Sequence, residues 1–378
     1  KIEEVAGGLG LRDIGLEHRV DELSGGQRTK VLLTKLLLEN PDILLLDEPT
    51  NYLDVEHIQW LTRYLQEYEN AFILISHDVP FLNAVTNVIW HVDNFKLTRY
   101  TGNYEKFQEM AATKRRQEEA AYERQQAEIK KEMDFIARNK ARVATRGMAN
   151  SRMKKLEKME LLTKRTEKPK PHFRFLEDRS PSRFVLTGTN LVLGYDVPLT
   201  KQVDLKIERG QKIALRGTNG LGKSTLLKTL LGLIPPVAGS VERGEFVSVG
   251  YFEQESVKGN QNTALEELWQ EYPGMSNSEV RGALAACGLT NDHITTKMTA
   301  LSGGEAAKVR LCKIMQRPVN LLVLDEPTNH LDVEAKAELQ RALQAYKGTL
   351  LLVSHEPEFY EGWIDQVWNI EGWSTKIV

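Results

Sequence analysis

LSGGQRTKVLLTKLLLENPDILLLDEPT at residues 23–50 is answered by LSGGEAAKVRLCKIMQRPVNLLVLDEPT at residues 301–328. The offset is constant: Ser24 and Ser302, Asp47 and Asp325, His77 and His355 each lie 278 residues apart. In each copy a Ser-Gly-Gly turn leads into a helical stretch, and an apolar run then ends on an Asp-Glu pair. The runs DILLLDEP (42–49) and AFILISHD (71–78) predict strands buried on both faces of a parallel sheet. KGTLLLVSHE repeats the second run near the end of the chain. FVLTGTNLVLGY and QVDLKIERGQKIALRG predict further strands, and VIWHVDNFKLTRYTGNY (88–104) predicts a short strand pair. The fold class is α/β, in two related units.

Only the second copy is preceded by a glycine loop, GTNGLGKS at residues 217–224, with the full P-loop spacing. Gly217, Asn219, Gly220 and Gly222 let the backbone wrap phosphates with its N–H groups inward, and the following helix adds its positive N-terminal end. Lys223 supplies a point charge to β- and γ-phosphates, Ser224 a ligand for Mg²⁺, and Thr225 continues the loop into the helix. Asp325 at the end of LLVLDEP is placed to hold the metal, and Glu326 to orient or deprotonate an attacking water. The Ser-Gly-Gly words, Ser24-Gly25-Gly26 and Ser302-Gly303-Gly304, read as second anion cradles at helix N-termini. Counting back 278 from Lys223 sets a twin loop about 55 residues before residue 1. The chain, which opens on Lys1, is therefore expected to start inside the first unit.

Residues 105–170 are rich in Ala, Glu, Gln, Lys and Arg, with one glycine (Gly147) and no proline before Pro169. That composition predicts a long helical hairpin, with its turn at 145–150 and its end at Pro169-Lys170-Pro171. Residues 105–135 carry net −1 and residues 136–175 net +10, so the rest of this −2 chain carries −11. A basic prong on an acidic body suits phosphate neutralisation. Lys140, Arg142, Arg146 and Arg152 flank the expected turn and are the candidate RNA contacts; Met148 is a candidate for packing on a base or ribose. No uninterrupted apolar run reaches 18 residues, so no membrane helix is expected. Cys287 and Cys312 share no metal-type spacing and fit a reduced cytoplasmic compartment.

These words together resemble the ATP-binding cassette family over residues 1–100 and about 184–378. The resemblance implies P-loop NTPase cassettes in tandem, joined by an α-helical hairpin insertion. The expected domains are 1–104, the C-terminal part of a first cassette, 105–180, the basic hairpin linker, and 181–378, a complete second cassette. In that family the LSGGQ cradle serves the nucleotide held by the opposite unit. Tyr195 then resembles the aromatic that stacks on adenine, and Gln254 the Q-loop glutamine near Mg²⁺. His355 and its twin His77 resemble the switch histidine, and Asp54 and Asp332 the D-loop. One ATP site would unite the 217–224 loop, Asp325, Glu326 and His355 with Ser24, Gly25 and Gly26. The other would join Asp47, Glu48 and His77 to Ser302, Gly303 and Gly304, without a P-loop in this chain, so hydrolysis by this piece is expected to be impaired.

Two cassettes with a basic hairpin between them, PTNYLD (49–54), PTNHLD (327–332) and TGNY (101–104) resemble the ABC-F branch of translational ATPases. That resemblance implies ATP and Mg²⁺ as cofactors and the ribosome, through rRNA and tRNA near the peptidyl-tRNA site, as partner. It implies a cytoplasmic monomer whose cassettes pair intramolecularly, and leaves antibiotic protection of the ribosome open as a role. The alternative reading, an ATPase subunit of a transporter, has no use for a +10 prong. A non-catalytic scaffold conflicts with intact Lys223, Asp325, Glu326 and His355.

Overall fold

The computed structural model describes the chain apart from residues 1, 12–18, 21–22, 24, 52, 94–95, 141–144, 163–168, 196, 219, 254–258, 374 and 376–378. Four nominated residues, Ser24, Arg142, Asn219 and Gln254, lie outside the described residues. The chain divides into two compact units: Lys1–His77 with Lys168–Val378, and Asp78–Glu167.

The first half of the larger unit holds α1 (Ile2–Gly8), α2 (Gly25–Glu39), β1 (Ile43–Asp47), α3 (Val55–Gln66) and β2 (Ala71–Ile75). β1 and β2 pair in parallel, with Ile43 beside Ala71 and Asp47 beside Ile75. Their apolar runs were expected to be buried on both faces, and here the structure differs. Leu44 and Leu46 are buried, but Ile43, Leu45, Ile73 and Ile75 are each more than half exposed, at 61%, 66%, 61% and 57%. Their twins explain the difference. Leu321, Val323, Leu351 and Val353 share one buried core with Leu226 and Leu227 of the helix after the P-loop and with Leu205 and Ile207 of the second sheet. Residues 1–77 contain no counterpart of that layer.

The smaller unit holds α4 (Val79–Val85), β3 (Val88–Asp93), β4 (Lys96–Thr101), α5 (Tyr104–Asn139) and α6 (Arg146–Glu157). β3 and β4 form the expected antiparallel pair, Val88 opposite Thr101. Asn103 caps α5 by accepting from Lys106 N at 3.1 Å, and the helix then runs 36 residues without a breaker. The turn expected at 145–150 is not there: α5 ends at Asn139 and α6 already runs from Arg146. Gly147 sits inside the first turn of α6, where a glycine costs little because intrahelical bonds are not yet complete. Polar pairs lace the two arms. Gln125 Nε2 donates to Glu160 O at 2.8 Å, Lys155 meets Glu128 at 2.9 Å, and Arg152 meets Glu132 at 2.8 Å. Gln125, Glu128 and Glu132 lie three and four apart, on one face of α5.

The second half comprises β5 (Phe184–Val192), β6 (Val203–Glu208), β7 (Lys212–Arg216), α7 (Lys223–Leu230), β8 (Ala238–Arg243), β9 (Val249–Phe252), α8 (Ala264–Glu271), α9 (Asn277–Ala286), α10 (Asn291–Thr295) and α11 (Gly303–Met315). Then follow β10 (Leu321–Asp325), α12 (Val333–Ala345), β11 (Thr349–Val353), α13 (Pro357–Tyr360) and β12 (Gln366–Asn369). A parallel sheet of order β12-β7-β11-β10-β9 carries the core, and an antiparallel sheet β6-β5-β8 covers one side. Every residue of β10 and β11 is buried. Leu322, Leu324, Leu350 and Leu352 face the helical side, and Leu321, Val323, Leu351 and Val353 the P-loop side. The linker ends earlier than residue 180: Phe173 is fully buried in the helical-side core, and Val319 N donates to Leu176 O at 2.9 Å.

The unequal burial of twin positions gives a direct expectation. Val323→Asp should cost more than about 4 kcal/mol and unfold the second half, because it leaves a charge in a closed core. Leu45→Asp, at the equivalent exposed position, should cost less than about 1 kcal/mol in this chain. Denaturant melts of the two variants decide it; equal losses would mean that the β1–β2 face is covered in solution.

Candidate functional site

The parallel register sets the acidic groups in place. Asp325 ends β10 beside Val353, as Asp47 ends β1 beside Ile75. The next residue is left-handed in both copies, with φ +47° at Glu48 and +49° at Glu326. Non-glycine residues rarely adopt this conformation, and it tends to persist where a side chain must be aimed. Backbone bonds hold it: Glu48 N donates to Ile75 O at 2.8 Å and Glu326 N to Val353 O at 3.0 Å. Each glutamate thereby meets the histidine at the end of the neighbouring strand. His355 Nε2 lies 2.8 Å from Glu326 Oε1, and His77 Nε2 lies 3.4 Å from Glu48 Oε1.

The two glutamates differ electrostatically. Burial pushes the Glu326 carboxyl up, but the bond and charge of His355, with Lys223 and Asn329, bring it below the usual carboxylate range. At Glu48 burial prevails over the His77 charge, and Asp47 adds to it, so that carboxyl is raised. Asp325 is 1% exposed, and neither of its oxygens has a hydrogen bond of normal geometry. Burial first, then the Glu326 charge, push it up to about 6 against the Ser224 hydroxyl and Lys223.

Gly217, Gly220 and Gly222 take φ of +145°, +83° and +96°, and the last is the N-cap of α7. Lys223 is buried and donates from Nζ to Gly217 O at 2.7 Å and Thr218 O at 3.1 Å. Burial lowers its pKa, opposed by Glu326, Asp54 and Asp325. A buried orphan carboxylate near a serine hydroxyl fits Mg²⁺, which takes few protein oxygens and fills its sphere with water and phosphate oxygens. Among the described residues no cluster of three or more His, Cys, Asp or Glu could hold an ion alone. Ser224 and Asp325 are the residues that would hold the metal, and when bound it would neutralise phosphate charge there.

Gly25 opens α2 and Gly303 opens α11. Ser302 Oγ accepts from Glu305 N at 3.3 Å, and Ser302 N donates to Glu305 Oε2 at 2.9 Å, a complete capping box. The glycines also allow close approach: a Cβ on Gly303 would sit 2.9 Å from the His330 ring. The two halves face each other in charge. Asp54 acts on Lys223, His77 on Asp332 and His330, and Lys336 on Glu48.

Tyr195 and Arg152 stand in different settings. Tyr195 lies past the end of β5, on a turn bridged by Gly194 and Pro198, and is 65% exposed. Arg152 is committed within the hairpin: besides Glu132, its guanidinium lies 3.9 Å over the Phe135 ring. Lys140 and Arg146 are exposed at the facing ends of α5 and α6, as is Met148 in α6. Sequence reading missed Lys30 and Lys308. Lys30 Nζ lies 3.4 Å from Asp54 and Lys308 Nζ 2.8 Å from Asp332. The repeat itself carried that signal, since both pairs recur at the 278-residue offset.

These parts define a paired-cassette nucleotide-binding protein. A model described as ABC transporter matches residues 1–51 and 200–329, and a second of the same description matches residues 90–175. YfmM of Bacillus subtilis (strain 168), an ABC transporter ATP-binding protein, is 61% identical over 378 residues, covering 100% of this chain and 73% of that protein. YdiF of the same organism, a putative ATP-binding protein, is 41% identical over 95% of this chain and 56% of its own length. ABC transporter F family member 5 of Arabidopsis thaliana is 39% identical over 98% of this chain and 54% of its own length. The chain thus spans nearly three quarters of the first relative and about half of the others. The archaeal ribosome recycling factor aABCE1, solved with the stalk protein aP1, aligns at TM-score 0.60 and 22% identity, over 98% of this chain and 65% of that one; the likeness is one of fold. The chain belongs to the ABC ATP-binding protein family, in its F branch. Among the described residues no helix is long and apolar enough to cross a membrane.

The raised Asp325 carboxyl makes a pH-dependent prediction. A folded value of about 6 against an ordinary 3.8 means that ionised Asp325 destabilises the fold fully above pH 6 and not at all below pH 3.8. Asp325→Asn should therefore stabilise the nucleotide-free chain at pH 7.5, by on the order of 2 kcal/mol, with the gain vanishing towards pH 4. Thermal melts across this range check it; a loss of stability at pH 7.5 would contradict it.

Proposed function

We propose that this chain is the greater part of an ABC-F factor that binds ATP with Mg²⁺ between its halves and acts on the ribosome. ATP on the 217–224 loop is met by Lys223, Ser224 and Thr225, with Tyr195 swinging over the adenine and Gln254 reaching the metal side. Ser24, Gly25 and Gly26 close over the same nucleotide from the first half. Glu326 orients the attacking water, and His355, bonded to that glutamate, contacts the γ-phosphate. Glu48 and His77, opposite Ser302, Gly303 and Gly304, form the corresponding acid and switch of the second site.

The observation that carries the ribosome reading is the net +10 over residues 136–175, on a hairpin between two ATP-binding halves. Lys140, Arg142 and Arg146 meet rRNA or tRNA phosphates near the peptidyl-tRNA site, whereas Arg152 keeps the arms together. ATP closes the halves and retains the protein on the ribosome; hydrolysis releases it. The factor is a cytoplasmic monomer, and antibiotic protection is one outcome that drug-panel growth of a deletion strain would reveal.

Co-sedimentation of the full-length protein with ribosomes tests the reading. Non-hydrolysable ATP should drive it into the ribosome pellet. Glu48→Gln with Glu326→Gln should trap it there with ATP and lower turnover at least about 100-fold, since both water-orienting groups are lost. Lys140→Ala with Arg146→Ala should weaken pelleting and flatten its salt dependence. Unchanged turnover in the double glutamine variant sinks the catalytic assignment. Failure to pellet, together with co-purification of a membrane protein, overturns the ribosome reading.

A further inference from the structure

Lys30 and Lys308 occupy one place in the repeat, six residues after Ser24 and Ser302 in sequence, on α2 and α11. Both ammonium groups turn inward. The Lys30 side chain is 10% exposed and Lys308 12%, burial that a lysine tolerates only beside an opposite charge. That charge is the D-loop aspartate of the same half: Asp54 for Lys30 at 3.4 Å, and Asp332 for Lys308 at 2.8 Å. Each aspartate also begins a helix. Asp54 is the N-cap of α3, and Asp332 the N-cap of α12, where it accepts from Ala335 N at 2.8 Å. The pair therefore ties the helix behind the Ser-Gly-Gly cradle to the loop that crosses to the other half. On that far side Asp54 lies in the field of Lys223, and Asp332 in the field of His77.

The surroundings of the two links differ. His57 Nδ1 lies 3.3 Å from Asp54 Oδ2 and 3.3 Å from Lys30 Nζ, whereas the twin position of His57 is Ala335. The lysine and the aspartate are thus what the two links share.

We propose that the Lys30–Asp54 and Lys308–Asp332 ion pairs are positioning links, carrying the placement of each Ser-Gly-Gly helix to the phosphate-facing group of the opposite half, Lys223 or His77. Lys30 and Lys308 touch no reacting atom in this role. They hold the D-loop so that seating the cradle on a nucleotide and aligning the opposite catalytic groups become one event. The inference rests on the reading that Ser24 to Gly26 close over ATP held by the 217–224 loop.

Single-turnover ATP hydrolysis by this chain tests it, with ATP dependence and thermal stability measured in parallel. Lys30→Met should lower the hydrolysis rate about tenfold while the half-saturating ATP concentration stays within about twofold, because the P-loop contacts are untouched. Lys30→Arg should recover most of the rate. Asp54→Asn should match Lys30→Met, and the double variant should lose no more than either single one, as members of one link do. Losses that multiply in the double variant overturn the link, as does a rate loss accompanied by an equal loss of ATP affinity. Ser24→Ala separates the two readings. If it leaves the rate unchanged, the composite site itself is wrong. If it lowers the rate while Lys30→Met does not, only the link is wrong.

Discussion

A buried acid without a hydrogen-bonded partner is the constraint on which this structure turns. Asp325 ends a strand buried along its whole length, and its carboxyl is deep enough for burial to bring its pKa to about 6. A folded protein retains such an unfavourable charge where something else uses it. Here Lys223, Ser224 and Glu326 converge on the same strand end, and the left-handed turn at Glu326 aims its carboxyl at His355. Sheet, glycine loop and the strand before His355 are three means of bringing opposite charges to one buried place, where their interactions are stronger than at the surface.

The repeat supplies an internal control. Register, left-handed glutamate, glutamate–histidine contact and lysine–aspartate pair all recur in the first half, although residues 1–77 include no P-loop. What does not recur is burial. The β1–β2 face that corresponds to the P-loop side stays open, and Glu48 is raised where Glu326 is lowered. The geometry of the glutamate turn thus follows from the local sequence, whereas its electrostatics follow from the layer that covers it.

Much of this was legible in the residues. Strand positions, the P-loop and the two Ser-Gly-Gly helices follow from apolar runs and glycine spacing, which act locally. Four points were not legible. Alternating exposure in β1 and β2 depends on a covering layer, which an unbroken apolar run does not report. The hairpin turn was expected at 145–150, where the apolar pattern breaks, yet α6 already begins at Arg146 and its first turn accepts Gly147. Arg152 looks like a free cation in composition, but Glu132 and Phe135 lie along α5 at the helical spacing that captures it. Lys30 and Lys308 belong to amphipathic helices, where a lysine ordinarily faces water, so their recurrence at one offset gains its meaning from their side-chain burial.

The central claim is that one nucleotide is held by two distant stretches, the 217–224 loop and the helix after Ser24. Amide hydrogen exchange of this chain, with and without MgATP in the Glu326→Gln background, tests it most directly. The account predicts that MgATP slows exchange both in α7 with its loop and in the first turns of α2. Protection confined to the loop and α7, with α2 unchanged at saturating MgATP, would contradict it.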